Sequence, residues 1–269
     1  SRPARPPSPA APAPPIPPAP AAAPAETEPA AEEAMPEEEM AEEVAGLHKR
    51  GLASLAFMQM TVWEASWYLR SMEELMMDMM MEAEYVVPLF QACADFQTEI
   101  GMNLIDRGVD TIWFGDDFGT QQSLIMAPET FRTQLKPIYT GMIQRFRDRN
   151  PEIIPILHCD GAVSELLKDI HEMGFEVFNP VQPDVPGHLP RDMKDGFGDL
   201  FSFWGAIDQQ DLLPNGTDEE LEKDIIEKIS ILGEGGGYMI SPAHIIQADV
   251  SPERVLKFIE LCYKHGKIT

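Results

Sequence analysis

Short apolar runs alternate with helical periodicities through most of the chain. Six runs of three to six residues have the composition and length of buried strands. They are 53–58, 111–114, 153–157, 176–178, 201–204 and 237–240. Between them, apolar positions recur every three or four residues, which is the spacing of one helix face. These helical stretches are 63–84, 89–107, 129–149, 163–173, 217–232 and 252–264. Strands that alternate with helices predict βα units around a parallel sheet, joined by right-handed crossovers.

The first 45 residues follow a different pattern. Pro and Ala occupy 27 of these positions, and Glu makes up most of the remainder from residue 26 on. A segment of this composition has little apolar surface to bury. We therefore expect a disordered tail over residues 1–45 and one folded domain over residues 46–269.

Composition and charge narrow the class of protein. The formal net charge of −25 argues against nucleic acid or an anionic membrane as a partner. Three widely spaced cysteines, Cys93, Cys159 and Cys262, are typical of reduced thiols. No apolar run approaches the roughly 20 residues of a membrane span, and no signal-peptide pattern begins the chain. We expect a cytoplasmic protein.

Polar side chains follow every predicted strand. In chain order they are Gln59, Glu64 and Arg70, Asp116 and Asp117, His158 and Asp160, Asn179 and Gln182, Asp208 and Gln209, and His244 and Gln247. The carboxyl ends of parallel strands meet at one edge of the sheet, where barrel enzymes place their chemistry. We therefore expect one site that binds a small-molecule substrate. Asp116 and Asp117 have a structural alternative as turn or cap residues, and a lone loop His such as His158 is more often structural.

Metal binding is a separate hypothesis for the same edge. His158, Asp160 and His244 are zinc-ligand types, and catalytic zinc uses three protein ligands with one open position. Cys159 is a poor candidate to join His158, because neighbouring side chains after a strand point in different directions. The candidate metal set is thus His158, Asp160 and His244.

Five segments carry a resemblance to a known family. They are W-F-G-D-D-F-G-T-Q from residue 113, L-H-C-D-G from 157, F-N-P-V-Q-P from 178, W-G-A-I-D-Q-Q from 204, and G-G-Y-M-I-S-P-A-H-I-I-Q-A-D-V-S-P-E-R-V from 236. In this order they resemble the uroporphyrinogen decarboxylase superfamily, from about residue 50 to the carboxyl end. That superfamily contains the decarboxylase of haem synthesis. It also contains cobalamin-dependent methyltransferases that move methyl groups between corrinoid proteins and coenzyme M.

The resemblance implies a (β/α)8 TIM-type barrel. Six βα units would then be strands three to eight of an incomplete barrel without its amino-terminal part. In the decarboxylases that part carries arginines for the substrate's carboxylates and an aspartate for the pyrrole nitrogens. An open barrel exposes strand edges and apolar surface, so we expect the tail, a homodimer partner or another chain to cover it.

The resemblance also implies site roles. His244 matches the active-site His of the last strand's loop, and Asp116 and Asp117 fall at polar substrate contacts. The first hypothesis is a cofactor-independent carboxy-lyase for a tetrapyrrole or related carboxylated compound, with His244, Asp116 and Asp117 catalytic. The expected substrate-binding residues are Asp160, Asn179, Gln182, Asp208 and Gln247.

Two alternatives stay open. The methyltransferase branch holds zinc with His-x-Cys and a later Cys, and the metal activates a thiol. Here His158 is kept, Asp160 stands in place of the first Cys, and the later Cys has no counterpart. A methyltransferase would therefore use zinc on His158, Asp160 and His244, with a corrinoid protein as partner. The third hypothesis is a non-catalytic remnant or binding protein.

Overall fold

A parallel sheet of six strands lies at the centre of the computed structural model, which describes residues 37–266. The strands are β1 Leu55–Gln59, β2 Thr111–Gly115, β3 Ile154–His158, β4 Val177–Val181, β5 Ser202–Ile207 and β6 Tyr238–Pro242. They lie side by side in chain order, and all neighbouring pairs are parallel. Each overlaps its predicted apolar run, so the predicted α/β class and the six strands are confirmed.

Helical segments connect the strands. They are α1 Glu37–Lys49, α2 Trp63–Arg70, α3 Met72–Met80, α4 Val86–Asp106, α5 Pro128–Thr130, α6 Lys136–Arg149, α7 Leu167–Met173, α8 Pro190–Phe197, α9 Leu212–Asn215, α10 Asp218–Leu232 and α11 Pro252–His265. A π-helical turn, Phe131–Leu135, joins α5 to α6. A 3-10 turn, Ser164–Leu166, precedes α7.

The single helix predicted over residues 63–84 is two helices. The chain breaks at Ser71, which has a φ of 75° and separates α2 from α3. The Ser71 hydroxyl accepts a hydrogen bond of 3.4 Å from the backbone N–H of Glu74 and so caps α3. Apolar spacing does not reveal this break, because both helices keep their apolar positions toward the same core.

The predicted boundary after residue 45 lies inside α1. Residues 37–45 are helical rather than disordered. Val44, with 7% of its surface exposed, belongs to the apolar core, and burial of this side chain explains why the segment is ordered. The rest of the predicted tail, residues 1–36, lies outside the described residues.

One face of the sheet packs against the helices. Ile112, Phe114, Leu157, Phe178 and Phe203 are fully buried there. Side chains alternate between the two faces of a strand, so the residues between these positions point to the opposite, concave face. That face carries Trp113, His158, Asn179 and Trp204 into the cavities described below.

The sheet is open between its first and last strands. Within residues 37–266, β1 pairs only with β2, and β6 pairs only with β5. Phe57 on β1 and Met239 on β6 expose 61% and 48% of their surface. The exposed apolar edges agree with a partial TIM-type barrel, whereas the numbering of the strands as three to eight stays a prediction. No helix in this part of the chain is long and apolar enough to cross a membrane.

Candidate functional site

Three polar side chains converge at the carboxyl edge of the sheet. His158 ends β3, Asp160 follows it by two residues, and His244 follows β6 by two residues. The Nε2 atoms of His158 and His244 lie 3.8 and 3.5 Å from Asp160 Oδ2. One ligand atom from each of the three residues lies within 4.8 Å of the other two. We call this group the His-Asp-His cluster; it is the set that the sequence predicts for a metal.

Asn179 orients the ring of His158. The two residues are partners in the register of β3 and β4, and His158 Nδ1 lies 2.7 Å from Asn179 Oδ1. That oxygen also accepts a 3.1 Å hydrogen bond from Trp113 Nε1. Because the indole N–H can only donate, Asn179 Oδ1 is an acceptor and His158 Nδ1 must carry a hydrogen. In the neutral ring the free lone pair is then on Nε2, which faces Asp160.

Asp117 holds the loop that carries Asp160. Its Oδ1 accepts a 2.7 Å hydrogen bond from the backbone N–H of Asp160. Burial raises the pKa of Asp160, the nearby imidazole of His158 lowers it, Asp117 raises it, and His244 lowers it. The net rise in this pKa comes mainly from burial of the carboxylate, which disfavours its charged form.

Glu64 joins the same site from the start of α2. Its Oε1 accepts a 3.2 Å hydrogen bond from the backbone N–H of Asp117. Burial, followed by repulsion from Asp116 and Asp117, raises the pKa of Glu64 to about 7. A carboxyl group with a pKa near 7 can give or take a proton at neutral pH. The sequence places Glu64 after the first strand but assigns it no role.

Asp116 does not face the site, which corrects its predicted catalytic role. Its side chain is fully buried beneath the loop between β1 and α2. It accepts hydrogen bonds from the hydroxyl groups of Thr61 and Tyr139 and from the backbone N–H groups of Val62 and Glu64. Burial raises its pKa and these donors oppose that rise. With this many donors satisfied, Asp116 anchors the amino end of α2.

Gln182 and Asp208 lie beside the His-Asp-His cluster, but each also has a structural task. Gln182 Oε1 accepts a 3.2 Å hydrogen bond from the backbone N–H of Gly161. Asp208 accepts backbone hydrogen bonds of 2.7 Å from Gln210 and 3.1 Å from Leu212, at the start of α9. Both line a cavity that also reaches Asp160.

Gln247 lies apart from the site. Its side chain is exposed and donates a 3.1 Å hydrogen bond to the backbone oxygen of Ile245 in its own loop. It borders none of the cavities at the strand ends. The predicted substrate-binding role of Gln247 therefore does not fit, because the loop turns this residue away after His244.

Cys159 is buried on the other side of β3. Its Sγ accepts a 3.2 Å hydrogen bond from the backbone N–H of Phe118, and burial raises the pKa of its thiol well above the usual value. This agrees with the expected opposite directions of neighbouring side chains. The thiol is therefore no ligand of the cluster.

Three cavities surround His244. The acidic cavity, of about 240 Å³, is bordered by Glu64, Asp117, Asp160 and His158. The amide cavity, of about 200 Å³, is bordered by Gln121, Gln182, Gln209, Asp184, Asp208 and Asp160. The aromatic cavity, of about 380 Å³, is bordered by Phe57, Trp113, Trp204, Ile245 and His158. His244 borders all three, so it lies at their junction.

The aromatic walls are missing from the sequence-based site. Trp113 alternates along β2 with the buried Ile112 and Phe114, and Trp204 follows the buried Phe203 on β5. This period-two alternation is the signal that could have placed both tryptophans on the concave face.

A parallel sheet with ionisable groups gathered at its carboxyl edge defines the class of βα-barrel enzymes. Comparisons with known proteins identify the family. Residues 32–265 match the sequence profile described as Uroporphyrinogen decarboxylase (URO-D). This chain belongs to the uroporphyrinogen decarboxylase family. None of the curated proteins matches it.

Similar solved structures include a methyltransferase from Methanosarcina mazei. Its TM-score is 0.67 at 15% identity, over 86% of this chain and 65% of that protein. A dihydropteroate synthase from Xanthomonas albilineans in complex with 7,8-dihydropteroate has a TM-score of 0.47 at 14% identity, over 79% of this chain and 68% of that protein. The first comparison shows a shared fold. This chain spans 65% of the length of that methyltransferase.

Proposed function

We propose that this chain is a metal-dependent methyltransferase of its family, with zinc held by His158, Asp160 and His244. The observation that carries the proposal is the convergence of one ligand atom from each residue within 4.8 Å. Two imidazoles and one carboxylate form a donor set that catalytic zinc sites use, and they leave a coordination position open. The fixed tautomer of His158, with Nδ1 bonded to Asn179, leaves Nε2 available as the ligand.

The donor set also affects the chemistry that zinc would supply. Zinc acts as a Lewis acid and lowers the pKa of a thiol that it coordinates. With two neutral imidazoles and one carboxylate as ligands, the zinc site as a whole would carry one positive charge. With the His-Cys-Cys ligands of the methyltransferase branch, the two thiolates would cancel the charge of the metal. The present site therefore suits activation of a weakly acidic nucleophile.

The surrounding residues have separate tasks in this proposal. Asp117 fixes the backbone of Asp160 through the 2.7 Å hydrogen bond to its N–H. Glu64, with its pKa raised to about 7, can accept the proton that a thiol nucleophile releases on entering the acidic cavity. By analogy with the methyltransferase branch, a corrinoid would carry the methyl group, and its carrier protein would be the partner.

The carboxy-lyase hypothesis receives less support from the charges. Among the described residues, neither Lys nor Arg borders the acidic, amide or aromatic cavity. Glu64, Asp117, Asp160, Asp184 and Asp208 do border them. Carboxylates of a porphyrinogen would meet like charges there, which is unfavourable in a partly buried site.

Zinc content and affinity test the proposal directly. The purified, reduced chain should retain one zinc per molecule, measured by elemental analysis, and bind Co²⁺ with the intense visible absorption of a tetrahedral site. His158→Ala, Asp160→Asn and His244→Ala should each lose the metal. His171→Ala, which changes an imidazole outside the acidic, amide and aromatic cavities, serves as the matched control and should retain it.

The metal-loaded protein should then transfer a methyl group from methylcobalamin to a thiol, and the three ligand variants should not. Equal zinc content in the parent chain, the ligand variants and the control would overturn the metal site. Porphyrinogen turnover that persists in metal-free protein would replace the proposal with the carboxy-lyase.

A further inference from the structure

The aromatic cavity has a wall of π systems beside the His-Asp-His cluster. Phe57 and Trp113 lie with ring centroids 5.1 Å apart, and Trp113 and His158 with centroids 4.6 Å apart. Trp204 borders the same space from β5. Its volume of about 380 Å³ lies within the usual range of ligand pockets. A ligand in this cavity would meet aromatic and aliphatic surface, with the two histidines at one end.

The neighbouring cavities give this space a negative potential. Glu64, Asp117 and Asp160 border the acidic cavity, and Asp184 and Asp208 border the amide cavity. Within residues 37–266, none of the three cavities has a Lys or Arg in its wall. Carboxylates at the rim of a low-dielectric cleft concentrate cations in it.

A bound zinc does not reverse the sign of this potential. The dication and the Asp160 carboxylate together carry one net positive charge. Asp117, Asp184 and Asp208 supply three further carboxylates, and Glu64 adds a partial charge near neutral pH because its pKa is about 7. Summed over the three cavities, the carboxylates still outweigh the metal, so the net charge around them is negative with zinc bound or absent.

We propose that the aromatic cavity binds a methylated ammonium group, so that the ligand class of this cavity is a quaternary methylammonium compound. The inference adds a ligand to the site of the proposed methyl-transfer function, because the bound methyl groups would lie beside the His-Asp-His cluster. A quaternary ammonium has no N–H that needs a hydrogen-bond partner, and its methyl groups can pack against Phe57, Trp113 and Trp204. Its charge is attracted both by the ring faces and by the carboxylates.

Choline and 3,3-dimethylbutan-1-ol test the charge requirement. The two molecules have the same shape, but the alcohol replaces the ammonium nitrogen with carbon and is neutral. Isothermal titration of the full chain, with and without zinc, should show choline binding at least about tenfold more tightly than the neutral isostere in both states. Equal affinities would overturn the inference.

Substitutions test the location of the binding site. Trp204→Leu should weaken choline binding about tenfold, whereas Trp204→Phe, which keeps an aromatic face, should retain most of it. Tyr68→Leu removes an exposed aromatic ring that stacks on Trp67, with centroids 4.1 Å apart, outside the cavities. This control should bind choline like the parent chain. Equal losses in Trp204→Leu and Tyr68→Leu would place choline elsewhere and contradict the inference.

The charge contribution can be separated from the aromatic one. Asp184→Asn removes a carboxylate from the amide cavity without changing a proposed metal ligand. It should weaken choline binding and leave the neutral isostere unaffected; an equal effect on both would count against the electrostatic argument. Because choline binding is also measured without zinc, loss of the metal site alone leaves the inference about ligand binding standing. Zinc binding without choline selectivity overturns the inference about ligand binding alone.

Discussion

Asp117 Oδ1 accepts a 2.7 Å hydrogen bond from the backbone N–H of Asp160 and thereby ties the end of β2 to the loop after β3. Asp160 is a proposed zinc ligand, whereas Asp117 is not. It also fixes the position of the Asp160 carboxylate between the two imidazoles, at 3.8 Å from His158 Nε2 and 3.5 Å from His244 Nε2.

Removing this acceptor should weaken metal binding without removing a ligand. We expect Asp117→Ala to lower zinc affinity 10- to 100-fold, the range found when groups that orient metal ligands are lost. Asp117→Asn keeps an oxygen that can accept the Asp160 N–H and should lose much less. Competition with a chromophoric chelator measures both affinities. Equal affinities of the Ala variant and the parent chain would show that Asp160 needs no such support.

Gly161 allows the loop after Asp160 to pass close to the loop after β2. Its φ is 85°, and an added Cβ would lie 2.6 Å from the backbone of both Gly119 and Thr120. Gly161→Ala should therefore lower the free energy of unfolding by at least about 2 kcal/mol, from left-handed strain and the displaced loop. Urea denaturation of the metal-free protein measures the change.

Gly141, on the exposed side of α6, supplies the matched control. An added Cβ there meets no atom within 4 Å. Gly141→Ala should raise the free energy of unfolding by up to about 1 kcal/mol, because Ala favours a helix. Two substitutions of the same kind should thus have opposite signs. A shared sign would contradict the close approach of the two loops at Gly161.

Tyr139 tests the structural role of Asp116. Its hydroxyl donates a 2.7 Å hydrogen bond to Asp116 and accepts one of 3.2 Å from the backbone N–H of Trp63. Tyr139→Phe should cost about 1–3 kcal/mol in the free energy of unfolding, because buried groups lose their partner. Zinc affinity of the folded variant should stay within about twofold. A large loss of affinity with unchanged stability would return Asp116 to the site.

The fold was predictable because the four inner strands, β2 to β5, are mostly buried. Continuous apolar runs such as that ending at Leu157 then stand out between helical stretches. The break at Ser71 was not visible in apolar spacing, and the order of residues 37–45 depends on the tertiary burial of Val44. The composition of a short segment does not predict which distant residues it will contact in the folded protein.

The three members of the cluster were predictable for a related reason. Each of them, His158, Asp160 and His244, ends or follows a strand, and the ends of these strands meet at one edge of the sheet. Residues far apart in sequence can therefore be predicted to lie close together. The choice between Asp116 and Asp117 was not predictable, since adjacent carboxylates point in different directions and sheet register decides which is buried. The register also makes Asn179 the partner of His158, which a substrate-binding prediction for Asn179 did not include.

Glu64 should make stability fall as pH rises. Its pKa is raised from 4.5 to about 7, so between these values the folded state holds the proton more tightly than the unfolded state. Glu64→Gln keeps the acceptor for the Asp117 N–H but cannot ionise. As the pH rises from 5 to 8, the free energy of unfolding of the variant should increase by about 1 kcal/mol relative to that of the parent chain. This value is reduced to allow for partial exposure of the carboxylate. Metal-free protein is required, because a bound cation would lower the pKa of Glu64.

Urea denaturation at the two pH values gives the difference between parent chain and variant. Other titrating groups are common to both proteins and cancel in this comparison. A difference that does not change with pH would mean that Glu64 titrates normally, and it would remove this residue as the proton acceptor in the proposed reaction.

His188 should impose the opposite pH dependence. The ring is fully buried, and its Nε2 accepts a 3.3 Å hydrogen bond from the backbone N–H of Val163. Burial lowers its pKa from 6.5 to about 4. Between these values the unfolded state binds the extra proton, so this contribution to stability is present above pH 6.5 and is lost as pH falls toward 4. Protonation of Nε2 would also remove the lone pair that accepts the hydrogen bond from the backbone N–H of Val163.

His188→Gln keeps a side-chain oxygen for the Val163 N–H and has no group that titrates in this range. At pH 8 the two proteins differ only through packing and hydrogen bonding, which sets the baseline. Between pH 6.5 and pH 4 the parent chain should lose up to about 3 kcal/mol more than the variant, the limit set by the shift in pKa. Parallel curves of unfolding free energy against pH would show that the ring is accessible to protons in the folded state. That result would contradict its place in the core beside Phe178, where the ring centroids lie 5.8 Å apart.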